Sequence, residues 1–113
     1  MDKVKIAQEE AANDGQSIYL NYNDMVGLYV AYGLSAYYAT MVINPYISYS
    51  EAMDMPLALF NRKEILFLRQ SLTKLEHTPK NHYHFRMRQP VGTSGYKKWA
   101  DKALEKHNET IKR

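Results

Sequence analysis

The chain has no cysteine among its 113 residues. This absence excludes a disulfide framework, a zinc site with thiolate ligands and a cysteine nucleophile. Repeats, low-complexity tracts and linkers rich in proline, glycine or serine are also lacking, so we predict a single domain over residues 1–113. The first residues do not have the basic and apolar regions of a secretory signal. We therefore expect a cytoplasmic protein.

Motifs that carry catalysis or bind a cofactor are also missing. Ser50 and Ser94 have no base or orienting acid that the sequence identifies. The loop at residues 92–95 lacks the full spacing of a phosphate-binding loop. His82 and His84 have the spacing of two metal ligands, but two arginines follow on the same face and would repel a cation. We predict a protein that is not an enzyme and that holds neither a metal nor a cofactor.

Charge is distributed unevenly along the chain. The formal net charge is +3, but residues 1–56 carry two lysines against seven acids, a net −5. Residues 57–113 carry thirteen basic residues against five acids, a net +8. Such asymmetry indicates a polyanionic partner, association between unlike surfaces, or two halves that simply pack together.

The longest uncharged segment is residues 25–50. Its pattern predicts a helix from Asp24 to about Ile43, ending before Asn44-Pro45 because a residue that precedes proline avoids helical geometry. A membrane span is the alternative, but four tyrosines lie in the middle of the segment, whereas membrane tyrosines prefer the interfaces. We favour a buried helix of a soluble bundle and do not expect a membrane protein.

Small residues recur every fourth position in this predicted helix, at Gly27, Ala31, Ser35 and Ala39. On a helix this spacing places them on one face, where another backbone can approach closely. The stripe predicts a tight helix contact, either within the fold or across a homo-oligomer.

Ten tyrosines, three phenylalanines and one tryptophan make tyrosine the dominant aromatic residue. Tyrosine gives a large amphipathic contact area, and methionine adapts to irregular surfaces. Four of the tyrosines lie in the predicted helix and serve either the core or self-association, while a second group follows Asn44-Pro45. The predicted partner-binding residues are Tyr29, Tyr32, Tyr37, Tyr38, Tyr49, Met53 and Met55.

Three further helices are predicted with clearer signals. Residues 3–13 have a helical composition, and apolar stripes run through residues 62–76 and 96–111. Asn61 and Glu64 have the spacing of a capping box at the start of the second of these helices.

Residues 48–60 are predicted to be helical as well. Ser48 and Glu51 repeat the capping-box spacing, and Pro56 suits the first turn of a segment that continues to Phe60. The stretch of residues 50–60 resembles helical segments of small phage accessory and assembly proteins. The likeness implies an accessory role and assigns no residue, because it includes no diagnostic motif.

The segment 82–88 alternates strictly and predicts a strand. Residues 17–22 alternate as well, and they predict either a short strand that would pair with residues 82–88 or the lead-in to the next helix. One side of that strand is basic, and lysines follow in the last helix. These residues predict an alternative function, nucleic-acid or other anion binding. The residues concerned are His82, His84, Arg86, Arg88, Lys97, Lys98 and Lys102.

Taken together, these patterns predict a mainly α fold, a compact bundle of four or five helices with a short β-strand or hairpin. Small size, missing catalytic motifs and unlike surfaces favour a non-catalytic protein that binds another protein, as an adaptor, inhibitor or assembly factor. Nucleic-acid binding through the basic half is the alternative.

Overall fold

The computed structural model describes residues 3–74 and 82–111. The elements in chain order are α1 (Lys3–Ala11), β1 (Ser17–Asn23), β2 (Leu28–Tyr32), α2 (Gly33–Ala39), β3 (Tyr46–Ser50), β4 (Met55–Phe60), α3 (Arg62–Ser71), β5 (Thr73–Lys74), β6 (His82–Arg86) and α4 (Tyr96–Ile111). The strands form one antiparallel sheet in the order β3-β4-β2-β1-β6-β5, in which β5 has two residues and the other strands five or more. This is an α+β fold, so the predicted mainly α bundle is wrong.

Several elements agree with the sequence prediction. Helices α1 and α4 lie where they were expected, and β6 pairs with β1 in register from Ser17–Arg86 to Asn21–His82. The capping box of α3 is present: Asn61 Oδ1 accepts from Glu64 N at 2.9 Å, and Glu64 Oε1 accepts from Asn61 N at 3.0 Å. Helix α3 ends earlier than predicted, because Leu72 has extended backbone geometry. Residues 75–76 of the predicted helix lie outside the described residues.

The predicted helix over residues 24–43 is wrong. Residues 24–27 form a turn in which Gly27 has φ +69°, and strand β2 follows. Gly33, with φ +54°, then turns the chain from β2 into the short helix α2. Ala31 lies in β2 and Ala39 in α2, so the small residues form no helical stripe and the proposed helix-helix contact loses its basis. None of the helices in residues 3–74 and 82–111 has the length and hydropathy of a membrane span.

The predicted helices over residues 48–60 are also wrong. This segment forms the hairpin of β3 and β4, joined by a turn at residues 51–54. Asp54 has φ +52°, a conformation that aspartate tolerates better than most residues. Pro56 lies in β4 and not in a first helical turn. The likeness to helical phage segments therefore does not extend to the structure.

The two faces of the sheet are covered unequally. One face, here called the three-helix face, packs Ile18 and Phe85 against buried residues of α2 and α3 and against Trp99 of α4. The opposite face, here called the α1 face, contacts Ile6 through Val30 and Tyr32. Because strand residues alternate between faces, β6 directs Phe85 to the three-helix face and its histidines to the α1 face.

Candidate functional site

A groove of about 570 Å³ lies between strand β3 and helix α4. Its half-buried residues Ile47, Trp99 and Ala103 make an apolar floor. Tyr46 also lines the groove and is 70% exposed, but its side chain points to the α1 face because it alternates with Ile47 along β3. The remaining lining residues are mostly polar or charged: Asn44, Pro45, Ser48, Lys102, Lys106, His107 and Thr110. An apolar floor with a polar rim is the usual composition of a binding site.

Strand β3 is an edge of the sheet, and its register against β4 determines which of its backbone groups point outward. Antiparallel pairs alternate between residues that exchange hydrogen bonds and residues whose backbone groups point away from each other. Tyr49 lies opposite Pro56, which has no N–H, so this pair is of the second kind. Ile47, two residues earlier, has the same orientation. The N–H and C=O groups of Ile47 and Tyr49 therefore point to the open side of β3.

The same alternation holds elsewhere in the sheet. The strand registers carry this alternation of backbone groups from β4 through β2 to β1. In β1, the backbone N–H of Tyr19 is predicted to point toward the side on which β2 lies. That N–H donates to Ser35 Oγ of α2 at 3.0 Å, on the expected side. The orientation assigned to Ile47 and Tyr49 is thus consistent across four strands.

Side-chain contacts fix α4 against β3. The rings of Tyr49 and His107 lie 5.5 Å apart, and His107 Nε2 is 3.1 Å from Glu51 Oε1. Tyr49 Oη donates to Asp54 Oδ1 at 2.6 Å. Burial and this hydrogen bond to a carboxylate raise the pKa of Tyr49 to about 12. Tyr49 therefore remains a neutral donor that ties the edge strand to the turn after it.

The other end of α4 is held by an aromatic cluster. Trp99 lies 5.5 Å from the ring of Tyr37 in α2, and Tyr96 lies 6.0 Å from it. Burial raises the pKa of Tyr96, and the nearby Glu10 carboxylate adds to this shift. Both ends of α4 are thus fixed, so the wall of the groove is formed in advance of any ligand.

The predicted partner-binding residues divide into two groups. Tyr32 and Tyr38 are buried, and Tyr29 and Tyr37 are half-buried against the core. Burial raises the pKa of Tyr38, whose hydroxyl donates to the carbonyl of Gly92 at 2.6 Å. These four tyrosines occupy the core, which was one of the two roles expected for them.

The second group lies nearer the surface. Tyr49 lies beside the groove, while Met53 and Met55 are half-buried against the cluster of the α1 face. Sequence reasoning missed the groove residues Tyr46, Ile47, Trp99, Lys106 and His107. A five-residue uncharged segment directly after Pro45 was the signal available for β3.

The basic side of β6 lies on the α1 face and has local partners. Arg86 Nη2 is 3.2 Å from Asp14 Oδ2, and His84 Nε2 lies 2.8 Å from Ser17 Oγ. The ring of His84 also stacks on Tyr19 at 4.3 Å. Burial lowers the pKa of His84, which favours its neutral form. Much of the predicted positive charge of this strand is therefore neutralised or suppressed.

Among the other predicted anion-binding residues, His82 shares this side of the strand, whereas Arg88 lies beyond the end of β6 and the three lysines lie on α4. His82 Nε2 lies 3.1 Å from Glu9 Oε2, close enough for an ion pair but without hydrogen-bond alignment. Arg88 Nε donates to the carbonyl of Ser71 at 3.3 Å. The remaining three, Lys97, Lys98 and Lys102, are exposed on α4, which packs against the opposite face of the sheet. The structure therefore separates the seven residues onto two sides of the sheet, and only Lys102 lies in the groove.

A buried carboxyl group connects α1 to α2. Glu10 is 8% exposed, and its two oxygens accept from Ser35 N at 2.9 Å and Ser35 Oγ at 2.6 Å. Burial raises the pKa of Glu10 to about 7, although both hydrogen bonds oppose the shift. Ser35 is the third residue of α2, so the carboxyl group caps a helix N-terminus from another element.

Neither this group nor its neighbours has the geometry of a catalytic site. Ser17 forms a serine–histidine contact with His84, but its side chain is fully buried and also donates to Asp14 Oδ1 at 2.8 Å. A nucleophile without access to solvent cannot reach a substrate. In residues 3–74 and 82–111, no group of three or more histidines and acids is placed to hold a metal ion.

Comparison with known proteins adds no assignment. The chain matches no protein-family model, no curated protein and no solved structure.

Proposed function

We propose that this protein is a non-catalytic binding module that holds a segment of another protein along β3. The observation that carries the proposal is the open edge of β3, where the backbone groups of Ile47 and Tyr49 face a groove walled by α4. An extended peptide that adds to a sheet edge gains main-chain hydrogen bonds, and nearby pockets select its side chains.

The edge also lacks the features that normally prevent strand addition. Exposed edges are protected by charged side chains, prolines or bulges. Residues Tyr46–Ser50 contain no charge and no proline, and all five pair regularly with β4. An unprotected edge invites pairing with another chain, and here α4 confines that pairing to one groove.

The test is selection of linear ten-residue peptides from a random display library on the immobilised protein. The matched variants are Ile47→Pro and Ile47→Ala, which both remove the isoleucine side chain. Only proline also removes the outward N–H, and it leaves the inward bonds of Ser48 to β4 unaffected.

We expect selected peptides to bind Ile47→Ala and to bind Ile47→Pro about tenfold more weakly or worse, the equivalent of about 1.4 kcal/mol. Circular dichroism and thermal unfolding of both variants establish that each is folded. A library that yields no binders, or binders with equal affinity for the two folded variants, contradicts the proposed function.

A further inference from the structure

The wall of the groove carries unpaired positive charge. Lys102 and Lys106 are exposed and line the groove, and no acid of residues 3–74 or 82–111 lies within ion-pair distance of either ammonium group. The third basic group, His107, is already held by Glu51 at 3.1 Å. A ligand in this groove therefore meets two cations that the described protein does not neutralise.

The spacing of the two lysines matches a strand. They are four residues apart on α4, which is a separation of about 6 Å along the helix. Alternate side chains of a β-strand point to the same side and are about 6.6 Å apart. A strand added to β3 would direct every second side chain toward the three-helix face, the side on which α4 lies.

We propose that the bound segment is an extended acidic stretch of a different protein, with carboxylates on alternate residues that contact Lys102 and Lys106. This inference rests on the proposed function, and it adds the chemistry of the partner. The apolar floor of Ile47 and Trp99 accommodates a small or apolar part of the same segment.

A second copy of this chain fits the groove less well. Antiparallel pairing of two β3 edges about a two-fold axis keeps the three-helix faces on the same side of the joined sheet. Each α4 would then approach the other across the axis, and the lysines of both copies would face one another. Like charges placed together oppose association, so we assign the groove to a partner of opposite charge.

The test uses the same peptide library with two double variants. Lys102→Glu/Lys106→Glu reverses both charges in the groove. Lys97→Glu/Lys98→Glu makes the same change in net charge on the same helix, at exposed residues that do not line the groove. Comparing the two separates local contacts from the effect of net charge.

We expect peptides selected on the wild type to be enriched in aspartate and glutamate at alternate positions. Their affinity should fall about tenfold or more for Lys102→Glu/Lys106→Glu, and by less than about threefold for Lys97→Glu/Lys98→Glu at 150 mM salt, where distant charges are screened.

Three results overturn the inference. The first is binders that depend on the outward N–H of Ile47 but show no acidic enrichment, which leaves the proposed function standing. The second is equal weakening by both double variants. The third is a wild-type dimer in light scattering that Ile47→Pro, but not Ile47→Ala, converts to a monomer, which assigns the edge to a second copy.

Discussion

Glu10 offers a quantitative test of the packing between α1 and α2. Its carboxyl group is buried, and burial raises its pKa from an ordinary value of 4.5 to about 7. Replacing it by glutamine retains the size of the side chain and an oxygen that accepts from Ser35 N, but removes the proton equilibrium. The stability of Glu10→Gln therefore should not depend on pH through this position.

The sign and size of the effect follow from the pKa shift. Between about pH 4.5 and 7 the folded protein binds a proton at Glu10 that the unfolded chain has released, so wild-type stability falls as pH rises through this window. One pKa unit corresponds to about 1.4 kcal/mol, so the complete loss is roughly 3 kcal/mol. The free energy of unfolding of Glu10→Gln, relative to wild type, should rise by that amount between pH 4 and pH 8.

Urea unfolding of both proteins across this pH range measures the difference directly. The difference between the two proteins also cancels the contribution of His84 to the pH dependence of stability. The lowered pKa of His84 makes the stability of both proteins fall as pH drops below about 6.5, which is opposite to the effect of Glu10. Carbon-13 NMR of the Glu10 carboxyl in the folded wild type gives an independent midpoint, expected near 7. A difference curve that stays flat, or a carboxyl that titrates near 4.5, would refute the reasoning.

Three other substitutions test the remaining features of the fold by urea unfolding. Asn61→Ala removes the side-chain cap of Glu64 N and should lower the free energy of unfolding by about 1 kcal/mol, and an unchanged value would show that the capping box contributes nothing. Gly33→Ala should cost about 1 kcal/mol or more, because φ +54° is strained for alanine, and a more stable variant would contradict this backbone geometry. Tyr38→Phe loses the hydrogen bond to Gly92 and should cost about 1 kcal/mol, whereas a gain in stability would indicate that the hydroxyl is unsatisfied.

The elements that the sequence predicted correctly have one side toward water. Helix α3 has its capping box and a buried stripe of Ile65 and Leu68, and β6 alternates between Phe85 and polar neighbours. In such elements the period of the buried residues reveals the secondary structure. Residues 3–11 and 96–111 also form amphipathic or polar helices, and their composition was sufficient to predict them as helical.

Two of the three strands in the segment 24–60 are central, and this is why the sequence pattern predicted helices there. Both β2 and β4 have neighbours on either side and apolar residues on both faces, so no alternation distinguishes them from a buried helix. Ala31 and Ala58 lie opposite each other and are fully buried on the three-helix face, on which α2 packs. Small residues on a strand allow a helix to pack closely against the sheet. In the sequence they cannot be distinguished from small residues on a helix that allow another helix to pack against it.

The groove was only partly predictable for a related reason. Lys102 and Tyr49 were selected for their charge and aromatic character, and both lie in or beside it. Its defining feature, the outward orientation of two backbone groups on β3, depends on the register against Pro56. Register between strands is a property of the folded sheet, and no pattern within residues 46–50 specifies it.

The open edge of β3 can be tested most directly by amide hydrogen exchange, measured residue by residue by NMR, with and without a saturating selected peptide. In the free protein, the amides of Ser48 and Ser50 should be protected by β4, while those of Ile47 and Tyr49 should exchange rapidly. Peptide binding should slow exchange at Ile47 and Tyr49 by at least about tenfold. Saturation with peptide that leaves these two amides unprotected would contradict the account, because the ligand would then bind without adding a strand to β3.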